Sequence, residues 1–201
     1  MKKSIFDLEE QNKNIESKIV VALERISEAF RVLLWQESTT FGLSPIQIQL
    51  LIFIELHQQE YCKVSYLAQE FNLTKPTISD AVKSLEQKKL IVKEIDTKDS
   101  RSYSIKTTEN GAEMAKKLAT FANILKSPIE DMAMEDKNEL WQNLMNIILA
   151  LQKSNVITLQ RMCFNCQNYE KKGATHFCNL LQKTLQNEEI RIDCEEHQVM
   201  S

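Results

Sequence analysis

A chain of 201 residues that is 43% hydrophobic and 26% charged has enough apolar matter to bury the core of one or two globular units, which excludes a disordered tail. With three glycines and three prolines there are few turn formers, so a hairpin-rich all-β protein is excluded and a mainly α (α+β) fold is expected. No stretch approaches the roughly eighteen apolar residues of a membrane span, and Asp7, Glu9 and Glu10 interrupt the place of a secretory leader, so a soluble, cytoplasmic protein with no membrane partner is expected.

The first periodic segment has Ile15, Ile19, Ala22, Leu23, Ile26, Phe30, Leu33 and Leu34 on one stripe, which predicts a long amphipathic helix within an arm spanning 5–40. Ser44 followed by Pro45 is a helix start, and Ile46, Leu50, Leu51 and Ile54 carry that helix to about residue 59. Short helices over about 64–71 and 75–89, the second capped by Thr74 with Pro76 in its first turn, are separated by the few residues of a helix-turn-helix. Two strands, about 90–95 and 102–106, flank the polar run 96–100 and predict a hairpin with a charged tip. Thr108 caps a further helix expected to stop before Pro128, and a last amphipathic helix over about 136–153 carries Leu140, Leu144, Ile147, Ile148 and Leu151. Its stripe is like that of the first helix, so the two are expected to pack together and against a symmetry mate.

The net charge of −3 conceals a local excess of bases. Between Cys62 and Thr107 stand nine lysines and arginines against six acids, while the flanking segments are both negative. In the helix after Thr74, Ile78, Val82 and Leu85 form an inward face, leaving Lys75, Thr77, Ser79, Asp80 and Lys83 outside. Short hydroxyls and lysines from the N-terminal half of a helix suit base edges and phosphates in a major groove, and the positive end of the helix dipole adds to both. Arg101 at the hairpin tip is suited to a minor groove or the backbone, and Lys98 to a phosphate.

The run Leu67-Ala68-Gln69-Glu70-Phe71-Asn72-Leu73-Thr74-Lys75-Pro76-Thr77-Ile78-Ser79, continued by Leu85-Glu86-Gln87-Lys88-Lys89-Leu90-Ile91, resembles the helix-turn-helix of the multiple-antibiotic-resistance (MarR) regulators. Asp99-Ser100-Arg101, followed by Thr108-Glu109-Asn110-Gly111, is similar to that family's wing and post-wing signature. The resemblance covers about 15–153; Thr107 replaces a usually apolar residue, and Lys88-Lys89 a frequent glycine before the strand. It implies a winged helix-turn-helix over 44–127, dimerisation through terminal helices at 5–40 and 128–155, and support of Arg101 by Asp99. It also implies an effector pocket between the dimer helices and the winged domain; Trp35, Phe41 and Phe53 lie nearby in sequence but read first as core.

Beyond residue 153 the family pattern ends. The region 161–198 holds Cys163-x2-Cys166, then Cys178 and Cys194, with His176 and His197 beside the last two. A C-x2-C pair folds two thiolates onto one ion, and two distant ligands close a tetrahedron while pinning a loop-rich segment that lacks its own core. Zinc on Cys163, Cys166, Cys178 and Cys194 is the expected cofactor; an iron-sulfur cluster or metal-free redox thiols would use the same residues, and either histidine could replace a thiol or support one. Cys62 reads as an ordinary, partly buried thiol.

Together these features predict a homodimeric, sequence-specific regulator of double-stranded DNA, a repressor answering a small-molecule effector or a redox or metal signal. The alternative is a winged-helix module that binds another protein. With three histidines and no glycine-rich phosphate loop, no nucleophile and base pair suggests an enzyme.

Overall fold

The computed structural model describes residues 4–95, 103–158, 161–173 and 175–199. Short polar side chains set the helix starts. Asp7 caps α1 (Leu8–Lys13), and Asn14, in extended backbone, ends α1 and caps α2 (Ile15–Phe41) by accepting the Ser17 N–H. Gly42, left-handed at φ 62°, closes α2, and α3 (Pro45–Leu56) departs at 90°. At the start of α3 a reciprocal capping box joins Ser44 and Gln47, with Pro45 in the first turn, as the sequence suggests. The helix stops short of residue 59 because His57 is extended and Gln59–Tyr61 form a 3-10 turn.

α4 (Val64–Glu70) and α5 (Lys75–Gln87) form the helix-turn-helix, joined through Asn72 in the left-handed region at φ 53°. β1 (Ile91–Ile95) pairs antiparallel with β2 (Tyr103–Thr107), with Lys93 opposite Ile105. The Ile105 N–H donates to the Cys62 carbonyl, and the Gln59 side-chain amide donates to the Ile105 carbonyl, which ties the hairpin base to the 3-10 turn. The expected charged tip at 96–100 lies outside the described residues.

Thr108 caps α6 (Glu109–Leu118) and also donates to the Lys89 carbonyl. The start of α6 lies against Leu90 so closely that a Cβ at Gly111 would fall 1.8 Å from the Leu90 carbonyl oxygen. The helix ends at Leu118, well before Pro128, because a 3-10 turn intervenes and Pro128 sits in the first turn of a separate α7 (Ser127–Glu130), where a missing N–H costs nothing. α8 (Met134–Lys153) follows. β3 (Tyr169–Lys172), β4 (Thr175–Cys178) and β5 (Lys183–Leu185) then make an antiparallel sheet in that order, where loops were expected.

The main core joins Ile48, Leu51, Leu67, Ile78, Leu85 and Ile105, all fully buried, with Leu34 of α2 and Leu118 of α6. The C-terminal sheet has its own smaller core of Leu185, Ile190 and Cys163, backed by Phe164 and Tyr169. Met145 of α8 is fully buried and shares a cleft with Phe164, Tyr169 and Ile190, so one side of α8 faces the C-terminal sheet. Ile15, Ile19, Ile26 and Phe30 of α2 stay exposed in the single chain, as do Leu140, Ile147 and Leu151 of α8. Among the described residues no single helix is long and apolar enough to cross a membrane.

Candidate nucleic-acid interface and cysteine cluster

The two faces of α5 divide as its periodicity predicts. Ile78, Ala81, Val82 and Leu85 are buried, while Lys75, Thr77, Ser79, Asp80 and Lys83 are exposed. Thr74 accepts the Thr77 N–H, and their hydroxyls lie 2.8 Å apart, so the Thr77 side chain also supports the cap. The positive end of the α5 helix dipole lies beside Lys75. Lys98, Asp99 and Arg101 lie outside the described residues. Of the three aromatics near the implied effector pocket, Phe53 is core, Phe41 packs against the core and Trp35 is 63% exposed.

All four C-terminal cysteines line one small cavity of about 30 Å³, on the order of a single water molecule's volume. Cys163 and Cys166 come from the 3-10 turn Cys163–Asn165 and its end, Cys178 from the end of β4, and Cys194 from the loop after Ile190. Two sulfurs accept hydrogen bonds from one residue: the Arg191 backbone N–H donates to Cys163 Sγ at 3.2 Å, and its guanidinium to Cys194 Sγ at 3.5 Å. Burial raises both thiols above their ordinary value, and the same hydrogen bonds oppose that rise by favouring thiolate. Among the described residues no group of three or more His, Cys, Asp or Glu side chains is placed so that it could hold a metal ion as the side chains stand. The shared cavity bears more on the ligand set, since each sulfur can swing about one side-chain torsion whereas backbone convergence is built by the fold. His176 instead bonds through Nδ1 to the Tyr169 hydroxyl and His197 through Nε2 to Asn165, and neither lines the cavity.

The cysteine segment is fastened to the winged domain by a charged node that sequence reasoning missed. Arg161 is only 4% exposed. Its Nε and Nη2 donate to the two oxygens of Asp193 at 2.6 and 2.9 Å, and its Nη1 donates to Tyr66 and to Glu70 at 2.6 and 2.7 Å. The rings of Phe53, Tyr61 and Tyr66 surround the guanidinium at 5.2 to 5.7 Å. His57 lies between two acceptors, with Nδ1 2.9 Å from the Phe53 carbonyl and Nε2 2.8 Å from Asp193, an arrangement that suits the doubly protonated ring. Burial lowers the pKa of His57, but these two bonds outweigh it and raise the imidazole above its ordinary value. Burial likewise raises Asp193, yet His57 and Arg161 hold it well below the usual carboxylate range. The Tyr61 hydroxyl donates to the Glu195 carbonyl, and the Cys194 N–H donates to the carbonyl of Arg161 itself. No local pattern marks this node, because Arg161 and Glu70 stand 91 positions apart.

Residues 41–102 match the model described as the MarR family. The fold is similar to that of Staphylococcus aureus MepR bound to DNA, at 24% identity and TM-score 0.57, covering 66% of this chain and 96% of that one. S. aureus MepR in a DNA-binding conformation aligns at 23% identity and TM-score 0.59, covering 67% and 98%. A MarR transcriptional regulator from Methanosarcina mazei Go1 aligns at 17% identity and TM-score 0.57, covering 67% and 96%. No curated protein matches the chain. Residues 41–102 thus carry the MarR family pattern, on a winged helix-turn-helix fold of the MarR type.

Proposed function

We propose that this protein is a homodimeric, sequence-specific DNA-binding regulator of transcription, a repressor whose C-terminal metal-binding extension receives a signal. The observation that carries the reading is α5: an amphipathic helix in a helix-turn-helix whose apolar face is wholly buried and whose outer face presents Lys75, Thr77, Ser79 and Lys83. The similar S. aureus MepR structure is a DNA complex, which supports the same use of the fold here. Lys98 and Arg101 would add wing contacts, with Asp99 holding the arginine. A cytoplasmic site of action accompanies this role.

One winged helix covers few base pairs, so a specific site calls for two copies on paired half-sites. The exposed stripe of Ile15, Ile19, Ile26 and Phe30 on α2, with Leu140, Ile147 and Leu151 on α8, is the apolar surface such a dimer would bury. A small-molecule effector acting between these helices and the winged domain would alter the spacing of the two α5 helices and so the affinity for DNA.

Fluorescence anisotropy with a duplex enriched by the protein from a random-sequence pool tests the proposal. Affinity should fall steeply with salt, as released counterions require, and competing unselected duplex should bind far more weakly. Failure to enrich any duplex at low salt would remove the DNA-binding role.

A further inference from the structure

The Cys194 loop is common to the thiol cavity and the charged node. Within 190–196, Arg191 bonds to the sulfurs of Cys163 and Cys194, Asp193 grips both Arg161 and His57, and Cys194 is bonded through its N–H to the Arg161 carbonyl. On the other side of the node, Arg161 holds Tyr66 and Glu70, both on α4, the first helix of the helix-turn-helix. A displacement of the Cys194 backbone carries Asp193 with it, because the two residues are adjacent and Cys194 is hydrogen-bonded through its N–H to Arg161 and through its carbonyl to His197.

We propose that Cys163, Cys166, Cys178 and Cys194 hold one thiophilic divalent cation, zinc in kind, and that its loading locks the Asp193–Arg161–Glu70 node and fixes the helix-turn-helix in its DNA-binding form. The protein is then a sensor of that cation as well as a DNA binder, and the inference rests on the DNA-binding role. Four thiolates select a soft, closed-shell ion over magnesium or calcium. The cavity, about 30 Å³ and walled by all four cysteines, has room for a single ion. The hydrogen bonds from Arg191 to two of the sulfurs are those that stabilise metal-bound thiolates. Loading ties the 190–196 loop, through Cys194, to the other three cysteines, and holds Asp193 with it. Removal of the ion frees the loop, and Arg161 then loses the bidentate partner that orients it toward Glu70.

The full-length protein, purified with zinc, stripped with a chelator and reloaded with zinc alone, is assayed for metal content and for affinity to its enriched duplex. One colourless zinc per chain is expected, with DNA affinity falling about tenfold or more on stripping, in the range of ordinary coupling between sites, and recovering on reloading. Asp193→Asn should still bind one zinc while its DNA affinity no longer follows metal loading. Glu70→Gln, which leaves the cysteine segment untouched, should show the same uncoupling and guards against misfolding of the first variant. A wild-type protein that takes up no zinc, or is brown with iron and sulfide, overturns the ligand assignment. Stoichiometric zinc with DNA affinity indifferent to stripping overturns the coupling and leaves the site standing. Stoichiometric zinc with no duplex enriched in any state defeats the DNA-binding role instead, so the failures are distinct.

Discussion

Gly111 is the position at which one atom decides the fold. Its missing Cβ lets the first turn of α6 rest on the Leu90 carbonyl, and backbone cannot yield as a flexible side chain would. Gly111→Ala should cost more than about 3 kcal/mol, seen as a large fall in the urea midpoint or as insoluble protein; a loss below about 1 kcal/mol would show that the contact is loose. Lys89 presents the opposite case, a bulky residue in the left-handed region at φ 59° just before β1. Lys89→Gly should stabilise the protein by about 0.5–1 kcal/mol, the relief of left-handed strain less the entropy that glycine adds to the unfolded chain. His57 makes the node sensitive to pH. It faces Asp193, with Arg161 and Glu70 nearby, and its folded pKa is raised, so its contribution is full below the unfolded value of about 6.5 and is lost as pH rises through the folded value. Wild-type protein should therefore lose denaturant stability from about pH 6 to pH 8 relative to His57→Gln, and parallel profiles would show that the ring does not carry the charge.

At the scale of the element, the proposed DNA contacts rest most directly on α5. Substituting Lys75 or Lys83 with Ala, each exposed, should weaken binding across sequences alike and lower the logarithmic salt slope by about one, whereas Ser79→Ala should change preference at a base position without altering that slope. Anisotropy titrations over a salt series separate the two behaviours. Helix starts were legible because their causes lie within four residues: Ser44 with Gln47, Thr74 with Thr77, Thr108 with Gly111. The end of α6 was not, since Pro128 can either stop a helix or open one, and here it opens α7. The outward residues of α5 could be read from periodicity, and the convergence of the cysteines was suggested by their spacing. The sheet at 169–185 could not, because its strands are three or four residues long and alternate too briefly to stand out. The Arg161 node was invisible for a different reason: a buried arginine finds its partners through tertiary packing, and nothing in the residues around it names Tyr66 or Glu70.

At the scale of the whole molecule, the proposed dimer depends on surface that the single chain leaves exposed. Phe30→Glu on α2 should yield a monomer by sedimentation equilibrium, still folded by circular dichroism, with affinity for a paired half-site reduced by at least about a hundredfold. A dimer that survives this substitution would move the interface to α8. The placement of the C-terminal segment has a related meaning. It is bonded to the side of the winged domain formed by the end of α3, the 3-10 turn and α4, so the proposed signal would reach α4 and α5 without passing through the α2 stripe. Two routes to the same pair of α5 helices would let a small molecule and a cation act on one promoter independently.

Cys62 stands apart from the other four cysteines. It is 1% exposed, directed at the Ile54 and Gln58 carbonyls, and burial pushes its pKa up to about 11. Alkylating reagents should therefore reach this thiol only when the whole winged domain opens. The rate of its slow labelling, read by mass spectrometry of the peptide that carries it, becomes an intrinsic clock for global unfolding, with no foreign probe needed.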